Sequence, residues 1–460
     1  MSMTFDDELK TRVESQFPNI VEQLKTLIRI PSVSSDSFDQ APVAQSAEQV
    51  RAFFAELGGE TSIRSCPGEN GWEGRPAVIA KFPATSVKPE AAPTVLLYAH
   101  HDVQPGGDPE KWTVTTPFEP VEKDGRLYGR GSSDDGAGIA VHLGSISALG
   151  NDRNVNIVVF IEGEEEVGSP SFNNFLEENR EDLKANLIVV TDSDNWKAGH
   201  PAITTTLRGV AQVTVELQVL DHALHSGMFG GPILDAVTLS SRLIATLHDE
   251  DGSVAVEGLV SRETADVDYP EADFRNDTGL LDGVQLAGRG ALASRLWTQP
   301  AISIIGMDTT SVANASNTII PSCRFVVSMR VAPGQDANEA RQKLTEHLIK
   351  HTPFGAKIEI SDGEAGPAYQ AEDNQYLATL RECLAASWGR EPVDIGVGGS
   401  IPFIADFQRA FPEAAVVVTG VEDPLTNAHS EDESQDLDDL QKAILAEALL
   451  LNKVGNGVNN

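Results

Sequence analysis

The sequence predicts an α/β protein built on a mixed, largely parallel sheet flanked by helices and interrupted by a second α/β module. Apolar strand-type runs alternate with helical-period segments up to about residue 191 and again from 374, the order that builds parallel sheets. Between residues 208 and 363 the order changes to β-α-β-β-α-β, that of a split βαβ sandwich. A chain of 460 residues also exceeds what one hydrophobic core normally organises. Residues 1–207 and 364–460 are therefore expected to form one domain, with residues 208–363 inserted into it.

Residues 5–30 place Phe17, Ile20, Val21, Leu24, Leu27 and Ile28 at helical spacing, and Pro31 ends the helix. A second helix spans 46–57 and stops at Gly58-Gly59. Strands at 77–82 and 94–99 follow, the latter delivering His100, His101 and Asp102 to its carboxyl end. Residues 125–138, GRLYGRGSSDDGAG, form a glycine-rich loop carrying Asp134 and Asp135 and opening a helix at 139–149. It lacks the Lys-Ser/Thr pair of a phosphate loop, so nucleotide binding is discounted. Strand 155–161 ends in Glu162, Gly163, Glu164, Glu165 and Glu166; helix 172–179 follows, and strand 187–191 ends in Asp192.

Ligands of such sheets gather at the carboxyl ends of the strands. Four successive elements deliver His100, Asp102, Asp134, Glu165, Glu166 and Asp192 there. Carboxylates crowded at the mouth of a buried strand repel one another and lose hydration, so a cation is expected among them. Ordinary structural roles account for other groups: a satisfied His101, an Asp135 that caps the following helix, and a solvated Asp194.

In the insertion, Val213, Val215, Leu217 and Val219 alternate as a strand; helix 233–247, strands 302–305 and 325–331, helix 337–351 and strand 357–360 follow. Residues 249–295 read as loop-rich. Beyond the insertion come helix 374–388, the turn Gly398-Gly399-Ser400 opening helix 401–407, strand 415–419, a loop at 420–433 with His429, and a closing helix at 437–453.

The net charge of −35 excludes nucleic acid and anionic membranes as partners, since both repel an acidic surface. Cys66, Cys323 and Cys383 form neither a disulfide framework nor zinc-finger spacing, which fits a reducing cytoplasm. The N-terminus lacks the basic start and apolar core of a signal peptide, and no apolar run is long enough to span a bilayer. A cytoplasmic protein is expected, in which the sequons at Asn276 and Asn314 carry no meaning.

The segments YAHHDVQP, YGRGSSDDGAG, IEGEEEVGS, VVTDSDNW, LRG, LHSGMFGG, GGSIP and NAHSED occur in order along nearly the whole chain. Together they resemble the dinuclear-zinc metallopeptidases that include cytosolic nonspecific dipeptidase, carnosinase, glutamate carboxypeptidase, aminoacylase and succinyl-diaminopimelate desuccinylase. The dipeptidase branch is the nearest likeness. The resemblance implies a catalytic domain and an inserted ferredoxin-like lid and dimerisation domain. It implies two divalent ions, zinc foremost with manganese or cobalt as alternatives. His100 and Asp192 would complete the set of one ion, Glu166 and His429 that of the other, with Asp134 bridging both. Asp134 is preferred to Asp135, and Asp192 to Asp194, on the resemblance alone, and the Asp134-Asp135 peptide is expected to be cis. Asp102 would hydrogen-bond behind His100 to fix its tautomer. Glu165 would be the general base.

The resemblance further implies that His225 crosses a homodimer interface to stabilise an oxyanion in the partner's site. His222 has no such match. Arg330 would grip the terminal carboxylate of a small peptide substrate, assisted by Asn317, Gly399 and Ser400. Gly136 stands where many relatives carry lysine, which bears on local electrostatics and not on the ligand set. The expected activity is hydrolysis of dipeptides or short unblocked peptides. An N-acyl-amino-acid deacylase of the same family is the alternative, and a non-catalytic metal-binding protein the third reading.

Overall fold

The strand Thr94–His100, buried over all but its first residue, runs through a six-stranded sheet. The structure is a computed structural model describing residues 4–68, 71–399 and 402–457. Sheet order is Glu60–Arg64, Ala77–Phe82, Asn156–Glu162, Thr94–His100, Leu187–Thr191, Ala415–Thr419. The last four strands are parallel, and the first two join by antiparallel pairing.

The runs VLLYA and IVVFI are apolar at every position because both faces of the sheet are covered. Leu97, Val159 and Val189 share one core with the helices Phe5–Ile28, Gly136–Leu149, Gln375–Trp388 and Leu437–Gly455. On the opposite face Tyr98 and Phe160 meet Phe172, Phe403 and Phe407 in an aromatic cluster. Burying each such ring contributes about 1.5–3 kcal/mol. The parallel register sets His100 beside Glu162, so polar side chains collect where the apolar strands end.

Two helices begin earlier than the periodicity implies, each for a capping reason. Pro42 opens Ala41–Glu56 in the first turn, where its missing N–H costs nothing. Asp135 accepts the Gly138 N–H at 3.0 Å, starting Gly136–Leu149 at the glycines.

The chain divides into two units, one comprising residues 1–204, 371–394 and 403–460, the other Thr205–Gln370 with Ile395–Pro402. In the second unit, Ala301–Asp308, Ser322–Val331, Gly209–Gln218 and Lys357–Gly366 form an antiparallel sheet in that order. Helices Ala236–Ala245 and Ala337–Lys350 pack on it through Leu239, Leu243, Ala340 and Leu344, giving the expected split βαβ topology.

The boundaries differ from those expected. The second unit ends beyond residue 363 because a register shift between Asp362 and Ala365 carries its last strand on to Gly366. It also takes in Ile395–Pro402, assigned from sequence to the other domain, because the half-buried strand Val393–Val397 lacks a long apolar run to announce it. The loop-rich region carries two short helices, Glu271–Thr278 and Leu292–Trp297. No helix among the described residues is long and apolar enough to cross a membrane.

Candidate metal centre

Two groups of metal-ligating side chains meet in the first unit: His100 with Asp134 and Asp192, and Asp134 with Glu166 and His429. Asp134 belongs to both. His100 Nε2 lies 3.1 Å from Asp134 Oδ1 and 4.0 Å from Asp192 Oδ2. His429 Nε2 lies 2.8 Å from Asp134 Oδ2 and 3.2 Å from Glu166 Oε2. Glu165 Oε2 stands 4.0 Å from His100 Nε2 but belongs to neither group.

His100 and Asp192 come from strand ends, where the apolar sequence stops, and Glu165 and Glu166 from the turn just beyond the strand Asn156–Glu162. Asp134 comes from the glycine-rich loop, across a peptide to Asp135 that is cis as expected. Asp135 faces inward, accepting the His100 N–H at 3.2 Å while capping its helix. His101 takes its structural role, with Nε2 bonded to the Pro76 carbonyl at 2.8 Å. Gly163 is required beside it, because a Cβ there would sit 2.5 Å from Pro76 O and 2.7 Å from His101 Nε2. His429 sits in the left-handed region at φ 60°, as do Asn427 and Asp432 on the same loop.

Asp102 lies behind His100 through both of its groups. His100 Nδ1 meets the main-chain carbonyl of Asp102 at 3.0 Å and its carboxylate at 3.5 Å. That carboxylate also accepts the backbone N–H groups of Glu165 at 3.1 Å and Glu166 at 3.0 Å. Asp102 thus fixes the turn carrying both glutamates. The His100 tautomer is fixed, with its proton on Nδ1 and a lone pair on Nε2.

Several contributors went unrecognised in the sequence. Gln104 holds both oxygens of Glu166, its N–H donating to Oε1 at 3.0 Å and its Nε2 to Oε2 at 2.7 Å. Its place two residues after Asp102 is the only sequence signal. Glu164 staples the wall by accepting from Trp72 Nε1, Arg75 N, Ser171 N and Ser171 Oγ. Glu162 accepts from the Tyr98 hydroxyl at 2.7 Å, and burial pushes it up to about 8. Asp194 is half-buried and lies in a backbone bridge with Glu422, and burial pushes it up to about 6. Buried Arg130 and Glu433 pair at 2.7 Å beneath the Asp134 loop.

The donor set fits divalent cations. His100 Nε2 is buried without a hydrogen-bond partner, its lone pair aimed at carboxylate oxygens, an arrangement that only a proton or a cation relieves. Without an ion the proton takes that place. Burial opposes it, but Asp102, Asp134, Asp192 and Glu165 raise the imidazole well above its ordinary value. Hydrogen bonds to Asp134 and Glu166 push His429 up to about 10. Burial pushes Glu166 up to about 7 and Asp192 to about 6, while it raises Glu165 well above the carboxylate range. Asp134, buried too, is lowered by its two histidine partners. Imidazole and carboxylate ligands of this kind suit zinc and manganese.

The remaining expected site residues lie in the second unit. His225 caps the short helix Ser226–Phe229, Nδ1 accepting the Gly227 N–H at 3.1 Å. This places the proton on the other nitrogen and leaves an exposed Nε2–H donor. Asn317 is its neighbour, its carbonyl accepting the Ser226 N–H at 3.0 Å. Arg330 lies on Ser322–Val331 opposite Val210 and Ala301. Arg208 is close enough to Arg330 for burial, aided by that second charge, to push it down to about 10. Arg208 is held by the carbonyls of Gly398, Arg295 and Gln299, so it braces the turn before Gly399. Ser400 lies outside the described residues.

Fold and donor set together define a metal-dependent hydrolase. Residues 96–453 match the family described as Peptidase family M20/M25/M40. The chain belongs to that family and is a metallopeptidase, a hydrolase of peptide bonds. The cysteinylglycine-S-conjugate dipeptidase of Corynebacterium striatum is 35% identical over 370 residues, which cover 78% of this chain and 81% of the relative. The Cys-Gly metallodipeptidase dug1 of Schizosaccharomyces pombe is 27% identical over 467 residues, covering 95% and 96%. Among solved structures, the dipeptidase Dug1p of Saccharomyces cerevisiae matches in fold with a TM-score of 0.75 at 22% identity, over 99% of this chain and 100% of that one.

Proposed function

We propose that the protein hydrolyses the peptide bond of dipeptides and short unblocked peptides, using two divalent ions, zinc foremost, held by His100, Asp134, Asp192, Glu166 and His429. The observation that carries this reading is the pair of ligand groups sharing Asp134, with Glu165 beside both and part of neither. Ions held there would acidify a water between them and offset charge building on the substrate carbonyl. Glu165 accepts the proton of the attacking water and passes it to the leaving amine. Its half-buried carboxylate, with no hydrogen bond to the ligand set, is suited to that transfer.

The substrate's terminal carboxylate is assigned to Arg330, with Asn317, Gly399 and Ser400 assisting. The neighbouring Arg208 supports this, since two guanidinium groups close together favour an anion. His225 acts from a second copy of the chain, an assignment supported by its exposed donor nitrogen. A cytoplasmic location belongs to the same reading, supported by three buried free cysteines.

A peptide panel tests the proposal. It would include Cys-Gly and a cysteinylglycine S-conjugate, for which the two relatives are named, and acetylated and succinylated amino acids. Release of free amino acids from unblocked dipeptides in the presence of zinc, manganese or cobalt is expected. Turnover of acylated amino acids alone would replace the reading with a deacylase.

A further inference from the structure

Glu433 sits among the acidic residues that follow His429, yet unlike its neighbours it is completely buried. Its carboxylate accepts four donors from the loop that carries Asp134: Arg130 Nη1 at 2.7 Å, Gly131 N at 3.1 Å, Ser133 N at 3.1 Å and Asp134 N at 3.2 Å. Arg130, itself buried, returns the link by donating Nη2 to the Ser430 carbonyl at 3.0 Å, one residue from His429. The Gly129 N–H adds a bond to the Glu433 carbonyl at 3.0 Å. One buried ion pair therefore joins the backbone of the shared ligand Asp134 to the backbone beside His429.

The two ligand groups depend on this link unequally. His100 is wholly buried on a strand end with Nδ1 already bonded, and Asp192 directly follows a strand. His429 has a side chain 58% exposed, on a loop with three non-glycine residues at positive φ. Nothing in its own surroundings other than Asp134 and Glu166 fixes its ring among the described residues.

We propose that Glu433, through Arg130, is a positioning residue for the dinuclear centre that sets Asp134 and His429 at the spacing the second ion needs. Groups that orient ligands from behind can govern affinity as much as the ligands do. The inference rests on the two-ion reading, and stepwise metal titration separates the two. His429→Ala identifies which binding step belongs to the second ion.

In Glu433→Gln the amide offers one acceptor oxygen and turns an NH2 toward the remaining donors. Calorimetric titration of the metal-free variant with zinc is expected to show the second-ion Kd raised ~10–100-fold and the first-ion Kd changed less than about threefold. Excess zinc is expected to restore kcat, which a general structural defect would not allow. Arg130→Lys keeps the charge beside Glu433 but cannot also reach Ser430, and a smaller loss in the same binding step is expected. Equal weakening of both steps, or unchanged second-ion affinity in either variant, overturns the proposal while leaving the two-ion reading intact. A wild-type chain that binds fewer than two ions overturns both.

Discussion

Replacing Glu165 by glutamine removes a proton acceptor and disturbs little else around it. The turn is held by backbone N–H groups of Glu165 and Glu166 on the Asp102 carboxylate, at 3.1 and 3.0 Å, and glutamine keeps the first of these. Gln104 still grips both oxygens of Glu166, so the ligands stay in place. The Glu165 side chain is 24% exposed and 4.0 Å from His100 Nε2, near enough to receive a proton but outside both ligand groups. Loss of a positioned base costs ~10²–10⁴-fold in rate, equivalent to ~3–5 kcal/mol of transition-state stabilisation. Glu165→Gln should therefore bind as much metal as the wild type by elemental analysis while kcat/KM on a dipeptide falls by ~10²–10⁴. The acid limb of the pH profile should vanish with it. In the metal-free site burial raises the Glu165 pKa above the ordinary carboxylate range, and cations bound beside it would draw it down again. Turnover within tenfold of the wild type would remove Glu165 from the reaction, and loss of bound metal would make it a ligand.

Asp102→Asn turns an NH2 group toward one of the two N–H groups the carboxylate now accepts, and should weaken metal binding ~10–100-fold; unchanged affinity would confine Asp102 to its carbonyl contact with His100. Because His429 is raised to about 10, Glu166 to about 7 and Asp192 to about 6, the metal-free site holds protons that ions must displace. Apparent affinity should fall as pH falls from 8 to 6, and calorimetry in buffers of different ionisation enthalpy should detect proton release; its absence would refute the assignment. His225→Asn keeps a capping side chain but loses the Nε2–H donor. Its Tm should match the wild type while kcat falls ~10²–10³-fold, and near-normal kcat would exclude an oxyanion role.

The candidate donors were legible in part because chemistry and patterning coincide in them, while the choice of Asp134 over Asp135 and of Asp192 over Asp194 rested on the family likeness. His100 and Asp192 stand at the ends of apolar strands, and Glu165 and Glu166 in the turn just beyond one, where a parallel sheet collects its ligands. Gln104 and Glu433 break no pattern. Glu433 follows Glu431 and Asp432 in an acidic run, and its burial arises only when Arg130, some three hundred positions away, folds beneath it. Asp102 was recognised, but which of its oxygens meets His100 depends on the backbone path after the strand. Likewise Glu162 and Glu164 differ from Glu165 through Tyr98, Trp72 and Ser171, partners dispersed along the chain. The fold class followed from periodicity, whereas Val393–Val397 is too short and half-buried to declare itself.

The division of the first unit by the second fixes the order in which its donors are synthesised. His100, Asp134 and Asp192 all precede residue 205, but His429 follows residue 370, as does the edge strand Ala415–Thr419. A chain emerging from the ribosome therefore carries the first donor group complete long before the second. A chain that stops within the second unit has one full set and a fragment of the next. On the two-ion reading proposed above, the donors of the second ion are complete only once synthesis has passed the far side of the insertion.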